Sequence, residues 1–346
     1  VGDPEYKEIS REVDPPTAEL IAYMEAIPPA YWVELDAAID ALPARQFVFF
    51  DRCELDNRPV FISDQLALVR LLADRLRVCP VDDVQAIVVR AVRIIHLTQA
   101  QSILEQLVDD SCAMYLVKAV TSRRAVLRGQ PQCMVVGTEM AVVRDRLWRS
   151  RCDSWQGEVA SSFDAYAHIT RFAKRFEKTR AVGPYDEFQQ TVKNWLVPLV
   201  LRVNREAYLR HVTITGQVIF QAVDLADLRV RLGRILSPQG PFPWLSRLAE
   251  VDPFYFRDPG FSARDTIKHQ LAIAVCIADL TQTPLPPDPF SPTLAPLRPV
   301  ERGGEIIGWY SVGPNGIDDG GVLSKDFGIP LSASFGNPFA SAPVAP

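Results

Sequence analysis

No stretch of this sequence stays apolar for the ~20 residues that a membrane-spanning helix needs. The nearest approach, Val84 to Leu97, is broken by Arg90 and Arg93. Histidine is scarce. His96, His168, His211 and His269 are the only four and stand at least 43 residues apart, so neither HExxH nor HxH occurs. A zinc site would have to be assembled from distant helices, and His96, at a helix end, reads instead as a capping or packing residue. The six cysteines (Cys53, Cys79, Cys112, Cys133, Cys152 and Cys276) come no closer than 19 residues, which excludes CxxC and zinc-knuckle spacings. Their even number permits disulfides in an oxidising compartment, although Cys112 and Cys276 sit in apolar helical runs and read as buried thiols. GxSxG, Walker A and GxGxxG are all missing, so nucleophile-elbow hydrolases, P-loop enzymes and dinucleotide folds lose their main sequence support.

A surplus of positive charge is missing too. The formal net charge is -5, which gives no electrostatic case for a nucleic-acid partner. Arg144, Arg146, Arg149 and Arg151 cluster, as do Arg171, Lys174, Arg175 and Lys178, but acidic residues are interleaved and both sets read as solvated helix faces. The acidic pairs are equally plain: Asp82-Asp83 suits the first turn of a helix, and Asp109-Asp110 suits a surface. A paired-carboxylate glycosidase remains open only because such carboxylates can be far apart in sequence.

What the chain does contain is helix. Its 346 residues are 48% apolar, enough for one large core or two moderate ones. Thr17 predicts the cap of a short helix to Met24, ended by Pro28-Pro29, and Tyr31–Leu42 predicts a second helix. Ser63 reads as the N-cap of a helix carrying Leu66, Val69, Leu72, Ala73 and Leu76. After Cys79-Pro80 the next helix carries Val84, Ile87, Val88, Ala91, Ile94 and Ile95. A third, about 100–126, carries Ile103, Leu104, Leu107, Cys112, Tyr115, Leu116 and Ala119. Further helices are expected at 138–151, 159–178, 186–210, 211–235 and 263–280. Residues 242–262 form an aromatic, proline-rich loop, either packed on the helices or lining a ligand groove. The expected fold is mainly α, a helical bundle or irregular helical-hairpin array with a small C-terminal β-hairpin and loop cap. The domain reading is an N-terminal helical lead-in (1–62), a helical domain (63–282), an extended and looped cap (283–330) and a flexible tail (331–346).

The most distinctive stretch is Gly308-Trp309-Tyr310-Ser311-Val312-Gly313-Pro314-Asn315-Gly316-Ile317-Asp318-Asp319-Gly320-Gly321. Calcium takes about six to eight hard oxygen ligands, backbone carbonyls among them. Asp318 and Asp319 can supply carboxylates, Asn315 an amide oxygen, Ser311 or Val312 a carbonyl, and Asp326 is near enough to fold back. The glycines let the backbone curl. The EF-hand order is absent, and Asn315-Gly316 is equally the signal of a plain type I′ turn.

Two segments together carry a resemblance. One is Gln65–Ala73 followed by Val84–Leu97; the other is Pro287-Asp288-Pro289-Phe290-Ser291 followed by Trp309–Gly321. They resemble a group of helix-rich exported proteins of planctomycete-type bacteria, in which an N-terminal membrane anchor and a helical middle precede this same ending. The ending also resembles the calcium-binding C-terminal loop of major pseudopilins of type II secretion. The resemblance implies an extracytoplasmic bacterial protein, in the periplasm or at the cell surface. It also implies calcium at the loop and a membrane association only through an anchor ahead of Val1. The expected role is a non-enzymatic structural or interaction protein that meets a protein partner or its own copies. The alternatives are a hydrolase with its site in a groove between helices, and a subunit of a filament or coat.

Overall fold

In the computed structural model the described residues are 16–42, 61–97, 103–167, 213–214, 216–218, 221–232, 259–302, 304–313, 316–321 and 326–330. The protein is mainly helical, with a small three-stranded antiparallel sheet near its C-terminal end. Among these residues the helices are α1 Ala18–Ala26, α2 Pro29–Asp40, α3 Phe61–Val78, α4 Val81–Ile95, α5 Ile103–Ser122, α6 Arg124–Leu127, α7 Gln132–Ala167, α8 Leu225–Leu232 and α9 Pro259–Thr281. The strands are β1 Arg298–Arg302, β2 Glu305–Ser311 and β3 Phe327–Pro330. No described helix is long and apolar enough to cross a membrane. The chain divides into two compact units. One is built from Val1–Ala100, Leu104–Ser150 and Thr266–Pro346, the other from Gln101–Ile103 and Arg151–Asp265.

Local chemistry sets the helix starts. Thr17 has extended backbone, and its Oγ1 accepts the Leu20 amide at 3.1 Å, supplying one of the donors a helix start leaves unmet. Pro29 opens α2, where its missing N–H costs nothing. Asp82 and Asp83 occupy the first turn of α4 and Arg93 its last, each complementing the helix dipole. All six apolar positions expected on α4 are buried. They join Val69, Leu72 and Leu76 of α3, Leu116 of α5, Met140 and Leu147 of α7, and Ile273 and Leu280 of α9 in one core. Each Val, Leu, Ile or Met side chain among them contributes about 1.5–3 kcal/mol on burial. On the rim of that core Asp36 meets Arg75 at 2.7 Å and Arg90 at 2.9 Å, and the Arg75 guanidinium lies 4.6 Å from the centre of the Trp32 ring.

Helix α9 ties the sheet to the helices. Ile273, Cys276 and Leu280 face the main core, whereas Leu271 and Val275 pack with Leu297 ahead of β1 and Ile329 of β3. The sheet order is β1-β2-β3. Arg298 pairs with Tyr310 across β1 and β2, and Ser311 pairs with Phe327 across β2 and β3.

Several expectations shift. Helix α3 begins at Phe61, so Ser63 lies inside it and is not its cap. Helix α7 is continuous where two helices were expected, because a glycine such as Gly157 costs an otherwise good helix only about 1 kcal/mol. Leu107 is 37% exposed rather than in the core. Phe261, expected in a loop, lies in the first turn of α9. The small C-terminal β cap is present as a three-stranded antiparallel sheet, whose tight reversal between β1 and β2 runs through Gly304 at φ 83°. The expected helix at 186–210, residues 168–178, the aromatic stretch 242–258 and the tail 331–346 lie outside the described residues.

Candidate functional site

The cap loop is built on Asp288. This fully buried carboxylate accepts the Phe290 amide and the Ser311 hydroxyl on Oδ1, at 2.9 and 2.6 Å, and the Val312 amide on Oδ2 at 2.9 Å. Phe290 then packs edge-on against Phe327, with ring centroids 5.0 Å apart. Asp288 thereby staples the end of β2 and fixes where the glycine-rich loop begins. The chain then curls through Gly313, Gly316, Gly320 and Gly321, all at positive φ, a conformation that a Cβ would oppose.

Three carboxylates follow. Asp318 is exposed and well occupied. Its Oδ1 accepts the Tyr310 hydroxyl at 3.1 Å and the Gly320 amide at 3.0 Å, and its Oδ2 lies 2.7 Å from Arg298 Nε. Asp319 is half-buried. Asp326 is 1% exposed; its Oδ2 accepts the Gly321 amide at 2.8 Å, while its Oδ1 is buried without a hydrogen bond. Burial raises the Asp326 pKa, the Gly321 and Asp319 amides pull it back, and the charges of Asp319 and Asp318 push it up again. Burial, then the Asp318 charge, pushes the Tyr310 phenol up to about 12.

Of the residues singled out as ion ligands, Ser311, Asp318, Asp319 and Asp326 share this turn-and-strand element, and Asn315 lies outside the described residues. The Ser311 hydroxyl is committed to Asp288. Among the described residues no three His, Cys, Asp or Glu side chains form a ready metal cage. What the loop offers a cation is the buried Asp326 Oδ1, which has no hydrogen bond, next to the carboxylates of Asp319 and Asp318, the latter held by Arg298.

A second polar cluster lies inside the helices. Asp109 and Asp110, expected at the surface, are 1% and 2% exposed. Gln65 Nε2 donates to Asp109 Oδ1 at 3.2 Å, and Arg146 Nη2 lies 3.6 Å from Asp109 Oδ2. Gln106 Nε2 donates to Asp110 Oδ1 at 2.9 Å, Ser150 Oγ donates to Gln106 Oε1 at 2.5 Å, and His269 Nδ1 lies 3.3 Å from Asp110 Oδ2. Helices α3, α5, α7 and α9 each supply a member. The signal was present in the sequence: Gln106, Asp109 and Asp110 stand at i, i+3 and i+4 and continue as Ala113, Leu116 and Val117, so polar residues occupy the apolar stripe of α5. The arginine face of α7 is corrected with it. Arg146 is mostly buried, and the buried Arg151 donates to the Ala222 carbonyl at 3.1 Å, with burial depressing its pKa to about 10.

Cys79, Cys112, Cys133, Cys152 and Cys276 are free thiols, and Cys53 lies outside the described residues. Burial raises all five, Cys79 to about 11 and Cys276 to about 12, which keeps them protonated and unreactive. His96 caps the end of α4, its amide bonding to the Val92 carbonyl at 3.0 Å. No family model matches this chain, and no curated protein or solved structure matches it either.

Proposed function

We propose that the protein is a non-enzymatic structural or interaction protein whose C-terminal cap is locked by a calcium ion, acting outside the bacterial cytoplasm. The observation that carries this reading is the buried Asp326 Oδ1, which has no hydrogen bond and sits beside Asp319 and Asp318. A buried carboxylate oxygen with no donor is costly, and a cation is one of the few partners that removes the cost. Among the described residues Asp318 is paired with the guanidinium of Arg298, and Asp319 and Asp326 add two further carboxylates for a divalent charge. Carbonyl-rich loops with few carboxylates bind calcium weakly, at roughly 10⁻⁴–10⁻³ M, and such a site fills only where calcium is abundant, as outside cells. The helices offer Val33, Met134 and Val142 as exposed apolar contacts for a protein partner or a second copy.

The test is thermal unfolding of chelator-treated protein as calcium is added, with Asp319→Asn/Asp326→Asn as control. A ligand that binds only the folded state stabilises it, by about 1.4 kcal/mol for calcium at tenfold its Kd, and so raises the midpoint. The expected result is a rise of a few degrees that the double variant lacks. A flat midpoint at millimolar calcium refutes the ion lock.

The pairing of the buried Asp110 with the partly exposed His269 favours a second reading, a hydrolase. It requires turnover of simple esters or glycosides that His269→Asn abolishes.

A further inference from the structure

We propose that Arg298 is the resident counter-ion of the cap, which a divalent cation must displace from Asp318, and that it thereby sets the calcium concentration at which the cap locks. The proposal rests on the ion-lock reading above and assigns the regulation of that site. Arg298 and Tyr310 are direct partners across β1 and β2, so their side chains leave the same face of the sheet side by side. From there they grip opposite oxygens of Asp318: Arg298 Nε at Oδ2, 2.7 Å, and the Tyr310 hydroxyl at Oδ1, 3.1 Å. The Gly320 amide takes a further position on Oδ1.

With Asp318 so occupied, an arriving cation finds two kinds of oxygen. Asp326 Oδ1 is buried and open. Asp318 is closed by a positive charge. Recruiting Asp318 therefore means exchanging one cation for another at the same carboxylate, and until that exchange the guanidinium repels the ion. The grip is open to exchange: Arg298 meets Asp318 Oδ2 through Nε at 2.7 Å, and its Nη1 is buried without a hydrogen bond. The side chain is about a third exposed and has solvent to move into.

Calcium titration calorimetry on the full chain, for wild type, Arg298→Gln and Arg298→Lys, tests this. Removing the guanidinium should tighten calcium binding about tenfold, the scale of one nearby like charge in a screened site. Arg298→Lys keeps the charge and should stay within about twofold of wild type. If the Gln variant does not unfold cooperatively, Arg298→Met serves for the same comparison. Calcium binding by wild type with no gain in the neutral variants overturns the role of Arg298 and leaves the ion lock standing. No binding by any variant overturns both.

Discussion

Asp326 and Asp288 are both buried carboxylates of the cap, with opposite circumstances. Asp288 has all it needs: two amides and a hydroxyl. Bonds to a charged acceptor contribute about 1.5–3 kcal/mol each, though not additively. Asp288→Ala should therefore destabilise the protein by about 3 kcal/mol or more in urea unfolding, with calcium absent. Asp326 lacks a donor on Oδ1, and its pKa is raised. The folded protein thus holds that proton more tightly than the unfolded chain. Between the ordinary carboxylate pKa and the raised one the folded state binds more protons, so stability falls as pH rises through that window. Asp326→Asn should remove this slope and raise metal-free stability at neutral pH, read from urea unfolding as a function of pH. An unchanged slope would mean that Asp326 ionises without strain. From sequence, Ser311 offers the ion loop a backbone carbonyl, while its hydroxyl is held by Asp288. Its tie to Asp288 was not legible, because the partner lies 23 residues earlier in a stretch that reads only as extended.

Helices were legible where period and chemistry agree. Helix α4 has one apolar stripe, acids at its start and an arginine at its end, and every expected core position is buried. Strand β2 was legible as an apolar, aromatic run between turns. Helix α7 was not legible as one element, since its polar segment around Gly157 resembles a break. On α5 the rule that places aspartates at surfaces lost to tertiary contacts with Gln65, Arg146 and His269, helped by Gln106 one turn earlier on the same helix. Asp109→Ala should cost about 3 kcal/mol in urea unfolding, because it removes the buried acceptor of Gln65 and the carboxylate facing Arg146. A second test concerns how α7 meets α9. A Cβ on Gly137 would stand 2.6 Å from Thr281 Cγ2, and Thr281 is held by its Oγ1 donating to the Ile277 carbonyl at 2.8 Å. Alanine gains about 1 kcal/mol of helix propensity there, but the overlap costs about 1–3. Gly137→Ala should be net destabilising, and adding Thr281→Ser, which removes the methyl, should restore most of the loss. Additivity of the two changes would show that no contact couples them.

At the scale of the whole molecule, the first unit is assembled from three separated segments. The same helix, α9, completes the main core and supports the sheet that carries the cap loop. A chain ending before Thr266 should lose cooperative unfolding of that unit by circular dichroism, since Ile273, Cys276 and Leu280 leave the core with it. The mainly α class could be read from helical periodicity. The division into units could not, because it depends on which distant segments return to one core. The central claim, a cap closed by an ion, is tested most directly by titrating calcium into chelator-treated full-length protein in a calorimeter, beside Asp319→Asn/Asp326→Asn. An ion-closed cap requires one saturable site of sub-millimolar to millimolar affinity in the wild type and no heat of binding in the double variant. A wild-type titration with no heat of binding across that range, or equal binding by the double variant, would contradict it.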